Sequence, residues 1–212
     1  MRQSRTTSST RRDWEPVDNS HHDVKRQLRE QFVGEVEGTL CFDLFCGTGT
    51  FTREVYLSHF LQIICVDQKV ESLQQLPDNP RIVAYQGDNR ELGWRLRCQW
   101  GFPDFIDLDA YGNPDGTLLP LLKVTQNKER FAVVATDGTF SGRRRARPVP
   151  PCWGHGDVYW APMCLRFENY PTLIYRHLQQ WLGEAGYRIA DFVLHRPVGR
   201  VICYYGLVAE KK

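Results

Sequence analysis

Five short apolar runs punctuate the chain at Leu40 to Phe45, Gln62 to Val66, Ile82 to Gln86, Phe105 to Leu108 and Phe131 to Thr136. Runs of this length fit strands buried on both faces, and the stretches between them are long enough for helices. A parallel strand pair needs a crossover, which a helix usually supplies, so this alternation predicts an α/β chain with a parallel sheet. Thr52 to His59 and Asp115 to Val124 are predicted crossover helices, and Leu92, Leu96 and Trp100 share a helical stripe between them. Upstream, Asp18, Asn19 and Ser20 offer capping oxygens before Val24, Leu28 and Phe32, whose spacing predicts a first helix over about 20–33. Downstream, Ile174, Leu178, Trp181, Leu182 and Ala185 form an amphipathic face after Asn169 and Pro171, and Gly186 is positioned to end that helix. Tyr187 to Leu194 and Val201 to Val208 are then joined across Pro197 to Gly199, too short a link for a parallel crossover. The expected fold is doubly wound, mostly parallel, with an antiparallel C-terminal strand.

With 212 residues, 42% of them apolar and 12% aromatic, the chain suits one ordered domain and excludes wholesale disorder. We divide it into a basic arm over 1–17, rich in Ser, Thr and Arg, and a single domain over 18–212. No run of about 18 apolar residues occurs, and no apolar segment follows the N-terminal arginines, so a cytosolic protein is expected. Seven cysteines without a CxxC pair fit reduced thiols, and no disulfide is expected.

The formal net charge of +2 is unevenly spread. Residues 1–12 and 143–147 carry four arginines each and no acids; without these eight, the 27 basic residues fall to 19, against 25 acids. Two concentrated basic segments suit a polyanion, whose condensed counterions are released on contact. Arg143, Arg144, Arg145 and Arg147 are therefore candidate nucleic-acid contacts. They lie in the stretch from Gly138 to Asn169, which has no clear period and is longer than most structureless loops in compact domains. Trp153, Tyr159 and Trp160 in the same stretch can stack on bases or pack as a lid.

The most informative stretch is Asp43-Leu-Phe-Cys-Gly-Thr-Gly-Thr-Phe51, between the first strand and a helix. Gly47 and Gly49 allow a tight turn and close approach to a ligand at a helix N-terminus. Asp67 ends the second strand, where a carboxylate can accept both hydroxyls of a ribose, and Asp88 ends the third. Three acids at successive strand ends, with no third glycine in GxGxxG register, favour a nucleoside cofactor over a dinucleotide.

These residues resemble the class I S-adenosylmethionine-dependent methyltransferases over roughly residues 38–209. The resemblance implies a Rossmann-like methyltransferase sheet with S-adenosyl-L-methionine as cofactor. It places Asp43, Phe45, Gly47 and Gly49 in the first cofactor motif, Asp67 at the ribose and Asp88 at the adenine amino group. Within the class, Ile106-Asp-Leu-Asp-Ala-Tyr-Gly-Asn-Pro114 and Ala135-Thr-Asp-Gly138 are similar to fourth- and fifth-strand segments of the tRNA N2,N2-dimethylguanosine methyltransferases, with Ala110 where that family has proline. That family's additional C-terminal domain has no counterpart in these residues. The resemblance implies an RNA substrate, with guanine in tRNA as the target.

The residues themselves support this chemistry. Alternation puts Asp107 and Asp109 on one face of the fourth strand, at the end where crevice ligands bind. Tyr111 can stack on a planar base. An exocyclic amine is a poor nucleophile, because its lone pair is delocalised into the ring. Asp109 can orient it and hold the positive charge that develops, so Asp109 is the candidate catalytic acceptor, with Asp107 and Tyr111 beside it. The bland alternative is that the two acids cap a loop and Gly112-Asn-Pro is a turn. Cys152, His155 and Cys164 match no closed zinc pattern, so no metal is expected; Pro151-Cys152 follows the wrong strand for a cytosine C5 nucleophile. Cys46 reads as a small filler, and His21 and His22 as solvent-facing. A DNA base methyltransferase and a catalytically inactive RNA-binding module that still holds the cofactor remain the rival readings.

Overall fold

The computed structural model describes residues 21–110, 113–122, 128–138, 170–197 and 202–212. Its elements are α1 (His22–Val33), β1 (Leu40–Asp43), a π-helical segment Thr52–Tyr56 that passes into α2 (Leu57–His59), β2 (Gln62–Asp67), α3 (Val70–Leu73), β3 (Ile82–Gln86), α4 (Asn89–Trp100), β4 (Phe105–Leu108), α5 (Asp115–Leu122), β5 (Arg130–Asp137), α6 (Tyr170–Glu184), β6 (Tyr187–His195) and β7 (Cys203–Lys211).

The seven strands form one sheet in the order β3-β2-β1-β4-β5-β7-β6. β1 to β5 pair in parallel, while β7 enters between β5 and β6 and runs antiparallel to both. The single reversed strand follows from the link around Pro197, which can only turn back. The chain works outward from β1 to β3 and returns to lay β4 on the other side of β1, so the C-terminal ends of β1 and β4 flank the switch point where ligands bind in such sheets.

Apolar alternation gives the sheet two buried faces. Leu44, Val66, Ile106 and Val133 pack with α4, α5 and α6, whereas Cys41, Ile63, Phe105 and Val134 pack with α1 and the π-helical segment. Leu28 and Phe32 of α1 are fully buried, as their spacing predicts, each contributing about 1.5–3 kcal/mol by leaving water. Gly206 of β7 makes this approach possible: a Cβ there would lie 2.3 Å from the Phe32 ring.

The last strand runs over Cys203–Lys211 rather than Val201 to Val208, and boundaries near the site differ from expectation as well. β1 ends at Asp43 rather than Phe45; Leu44 still donates to the Asp107 carbonyl (3.1 Å), but Cys46 then reaches the Val66 carbonyl (3.1 Å) as the chain turns. α1 begins at His22 with no side-chain cap on His21, and Asp18, Asn19 and Ser20 lie outside the described residues. Gly186, with φ +87°, stands just beyond α6 as expected. No described helix is long and apolar enough to cross a membrane.

Candidate functional site

The glycine loop leaves β1 at the switch point. Gly47 has φ +52°, and nothing lies within 4 Å of where its Cβ would be, so the backbone there borders open space. Gly49 has φ +76°, and its absent Cβ would lie 2.3 Å from Leu76. Asp67 braces the turn: its two carboxylate oxygens accept the amides of Gly47 (3.0 Å) and Lys69 (2.8 Å). Each oxygen retains a lone pair for another donor, which suits the paired hydroxyls of a ribose. Asp43 is buried and accepts the Thr52 hydroxyl (2.8 Å), tying β1 to the segment that follows the loop. Burial, and next the charge of Asp107, push the Asp43 carboxyl well above its usual range. Phe45 is half-buried against the apolar cluster under α4 to α6. Cys46 is buried, and its contact with Cys65, together with burial, pushes its thiol up.

At the end of β3, Asp88 caps α4 by accepting the Arg90 amide (2.9 Å) and also binds the Arg90 guanidinium (2.6 and 3.1 Å). Those bonds hold its carboxyl at about 2. The next residue, Asn89, is buried, and its amide oxygen has no partner among the described residues. Sequence reading missed Asn89; an orphaned buried acceptor one residue beyond the adenine-end acid suits a donor on a ligand. A loop bordering open space, a ribose-ready carboxylate and this oxygen together fit a nucleoside cofactor.

The acids of β4 are held differently. Arg29 of α1, only 1% exposed, donates to both oxygens of Asp107 (2.7 and 2.8 Å) and from Nε to the Tyr56 hydroxyl (3.0 Å). Tyr56 in turn donates a short bond to Asp107, and the Arg29 guanidinium lies 3.9 Å from the Phe51 ring centre. Burial works to lower the Arg29 pKa, but Asp107, Tyr56 and Asp109 outweigh it and raise it. Asp109 lies on the same side of the sheet. Lys25, one turn before Arg29, donates to both its oxygens (2.7 and 2.8 Å), Thr136 of β5 donates to Oδ1, and Arg29 stands 3.7 Å from Oδ2. Burial pushes the Asp109 carboxyl up; Arg29, then Lys25, outweigh it and hold it below the usual carboxylate range. Lys25, Arg29 and Tyr56 were not singled out from the sequence, and Thr136 entered only within the Ala135 to Gly138 segment, with no role. His22 is not simply solvent-facing: it stacks on Phe51 (5.2 Å) and bonds Glu54 (2.9 Å).

Tyr111, Arg143, Arg144, Arg145, Arg147, the Trp153, Tyr159 and Trp160 cluster, and Cys152, His155 and Cys164 lie outside the described residues. Among the described residues no group of side chains has the makings of a metal site.

No family model and no curated relative matches the chain. Solved structures do match. Trm1 from Pyrococcus horikoshii, in complex with S-adenosyl-L-methionine, is 14% identical with a TM-score of 0.61, the match covering 89% of this chain and 54% of that one. TYW2 from M. jannaschii, in complex with AdoMet, is 10% identical with a TM-score of 0.57, covering 92% and 78%. The N-methyltransferase NodS from Bradyrhizobium japonicum WM9 is 14% identical with a TM-score of 0.53, covering 92% and 99%. At such identities the likeness establishes the fold alone: a Rossmann-like sheet, mostly parallel, with its reversed strand near the C-terminus.

Proposed function

We propose that this chain is an S-adenosylmethionine-dependent methyltransferase acting on the exocyclic amine of a base in RNA, guanine in tRNA being the favoured target. One observation carries the reading. The open turn at Gly47 is locked to the carboxylate of Asp67, and next to it at the switch point β4 delivers Asp107 and Asp109. Similar folds were solved with the same cofactor bound, which supports the choice.

The bound cofactor supplies a methyl group made electrophilic by its sulfonium. Asp67 accepts the ribose hydroxyls with its spare lone pairs, Gly47 leaves room beside them, and Asp88 with Asn89 flanks the adenine. Asp109 accepts a hydrogen from the substrate amine, orients its lone pair and offsets the positive charge that grows on nitrogen. Once the methyl bond has formed, the nitrogen gives up a proton and solvent takes it up. Tyr111 stacks on the base, and Arg143, Arg144, Arg145 and Arg147, with the basic arm over 1–17, meet phosphates. Methyl transfer asks for little beyond this positioning.

Incubation with labelled cofactor and total tRNA, total ribosomal RNA or DNA, followed by digestion to nucleosides, tests the proposal. A labelled N2-methylguanosine from RNA is expected. A labelled deoxynucleoside would move the substrate to DNA, and a protein that binds no cofactor would overturn the assignment. Because Lys25 fills Asp109, a cofactor-binding module without turnover is a second reading, and cofactor bound but never consumed on any pool would favour it.

A further inference from the structure

Asp109 is the acceptor in the proposed function, yet the Lys25 ammonium already bridges both of its oxygens. Oδ1 takes hydrogens from Lys25 and Thr136, and Oδ2 takes one from Lys25 with the Arg29 guanidinium at 3.7 Å. Three of its four lone-pair positions are taken and the fourth, on Oδ2, adjoins the buried Arg29 guanidinium, so an incoming amine competes with these donors. They are not equally replaceable. Thr136 belongs to β5, paired on both sides within the sheet, and Arg29 is buried, bidentate on Asp107 and stacked on Phe51. Lys25 is 22% exposed and ends in a compact ammonium on a flexible stem. Its nitrogen sits at the distance from both carboxylate oxygens that a substrate amine would take, with the Tyr204 ring centre 5.6 Å away.

We propose that the Lys25 ammonium occupies the seat of the substrate amine, a seat made by Asp109 and walled by Thr136 and Tyr204, and that substrate binds there only as Lys25 withdraws. This rests on the methyltransferase reading and deepens it. The seat takes a nitrogen carrying hydrogens. A ring nitrogen or carbonyl oxygen, which can only accept, meets the Asp109 carboxylate, itself an acceptor, and is rejected.

The test uses the full chain with S-adenosylhomocysteine and total tRNA as probes. In wild type, acylation of the Lys25 amine by acetic anhydride, followed by mass spectrometry, should be slow in the free protein and rise about fivefold or more when both probes are present, as expected when a minor withdrawn state becomes the dominant one. Lys211, paired with Glu129 on the surface, is the internal reference and should not change. In single-turnover methylation, Lys25→Met should lower the tRNA concentration for half-maximal rate about three- to tenfold, because substrate no longer competes with a resident ion pair, while the plateau rate holds within about twofold. Lys25→Arg keeps a cation in the seat and should behave as wild type. Lys25 acylation that does not respond to the probes, or a Lys25→Met plateau that falls as far as that of Asp109→Asn, would overturn the inference and leave the methyltransferase reading intact. No transfer to any nucleic acid by wild type would overturn both.

Discussion

Asp67, at the end of β2, is held by two backbone amides, Gly47 twenty residues before it and Lys69 two residues after, whereas Asp109, beyond the end of β4, is held by a side chain 84 residues upstream. The proposed cofactor half of the cleft is thus stitched by local bonds from main chain to side chain, and Asp88 follows suit by capping its own helix. The acceptor half is stitched by ion pairs from α1. Local main-chain bonds come with the turn and cannot be withdrawn without unmaking it. Long-range pairs between side chains are strong when buried, as at Arg29, and exchangeable where water reaches them, as at Lys25.

The sharpest break of this contrast is Arg29→Met. It leaves Asp107 buried without its partner, so urea denaturation should show a loss of about 3–5 kcal/mol, and adding Asp107→Asn should recover part of it. A loss under about 1 kcal/mol would mean that the acceptor half does not depend on α1. Next, Asp109→Asn keeps volume but replaces a charged acceptor; turnover should fall about 10²-fold or more, with cofactor affinity within a few-fold. Asp67→Ala should do the reverse, weakening the cofactor by about 1.5–3 kcal/mol in calorimetry while leaving the acceptor site intact. If either variant damaged both functions equally, the two halves would not be separable. The smallest effect belongs to Asp43. Its folded carboxyl titrates above its unfolded value, so the folded state holds the extra proton, and stability falls as pH rises from about 4 through the folded value. Asp43→Asn removes that dependence, and melting temperatures across pH 4 to 8 should diverge increasingly in favour of the variant; parallel curves would show that Asp43 carries its charge unopposed.

The contrast also sets what could be read from the sequence. Strand alternation, the glycine loop and the acids at the ends of β2 and β3 are local patterns, and the short link around Pro197 implies an antiparallel strand, but the entry of β7 between β5 and β6 follows from none of them. Asp107 and Asp109 could be placed on one face because strand period is local too. Their partners could not be found this way, since nothing in the spacing of Lys25 and Arg29 shows which distant carboxylate they meet. One signal was present: Arg29 adjoins Leu28 on the apolar side of α1, and a guanidinium buried there requires an acid opposite. Asn89 was overlooked because its importance lies in a missing bond, visible only once its surroundings are in place.

The π-helical segment Thr52–Tyr56 can be understood through angular phase. Asp43 and Asp107 are aligned partners on β1 and β4; Thr52 binds the first and Tyr56 the second. In an α-helix a residue four positions on overshoots a full turn by about 40°, whereas i→i+5 bonding winds more loosely and makes it fall short. The two side chains therefore splay in the opposite sense from an α-helical pair, and that sense straddles the adjoining strands. Wound as an α-helix at the same length, the segment would swing Tyr56 to the other side of Thr52 and away from Asp107, so the two contacts hold only while the looser winding is kept.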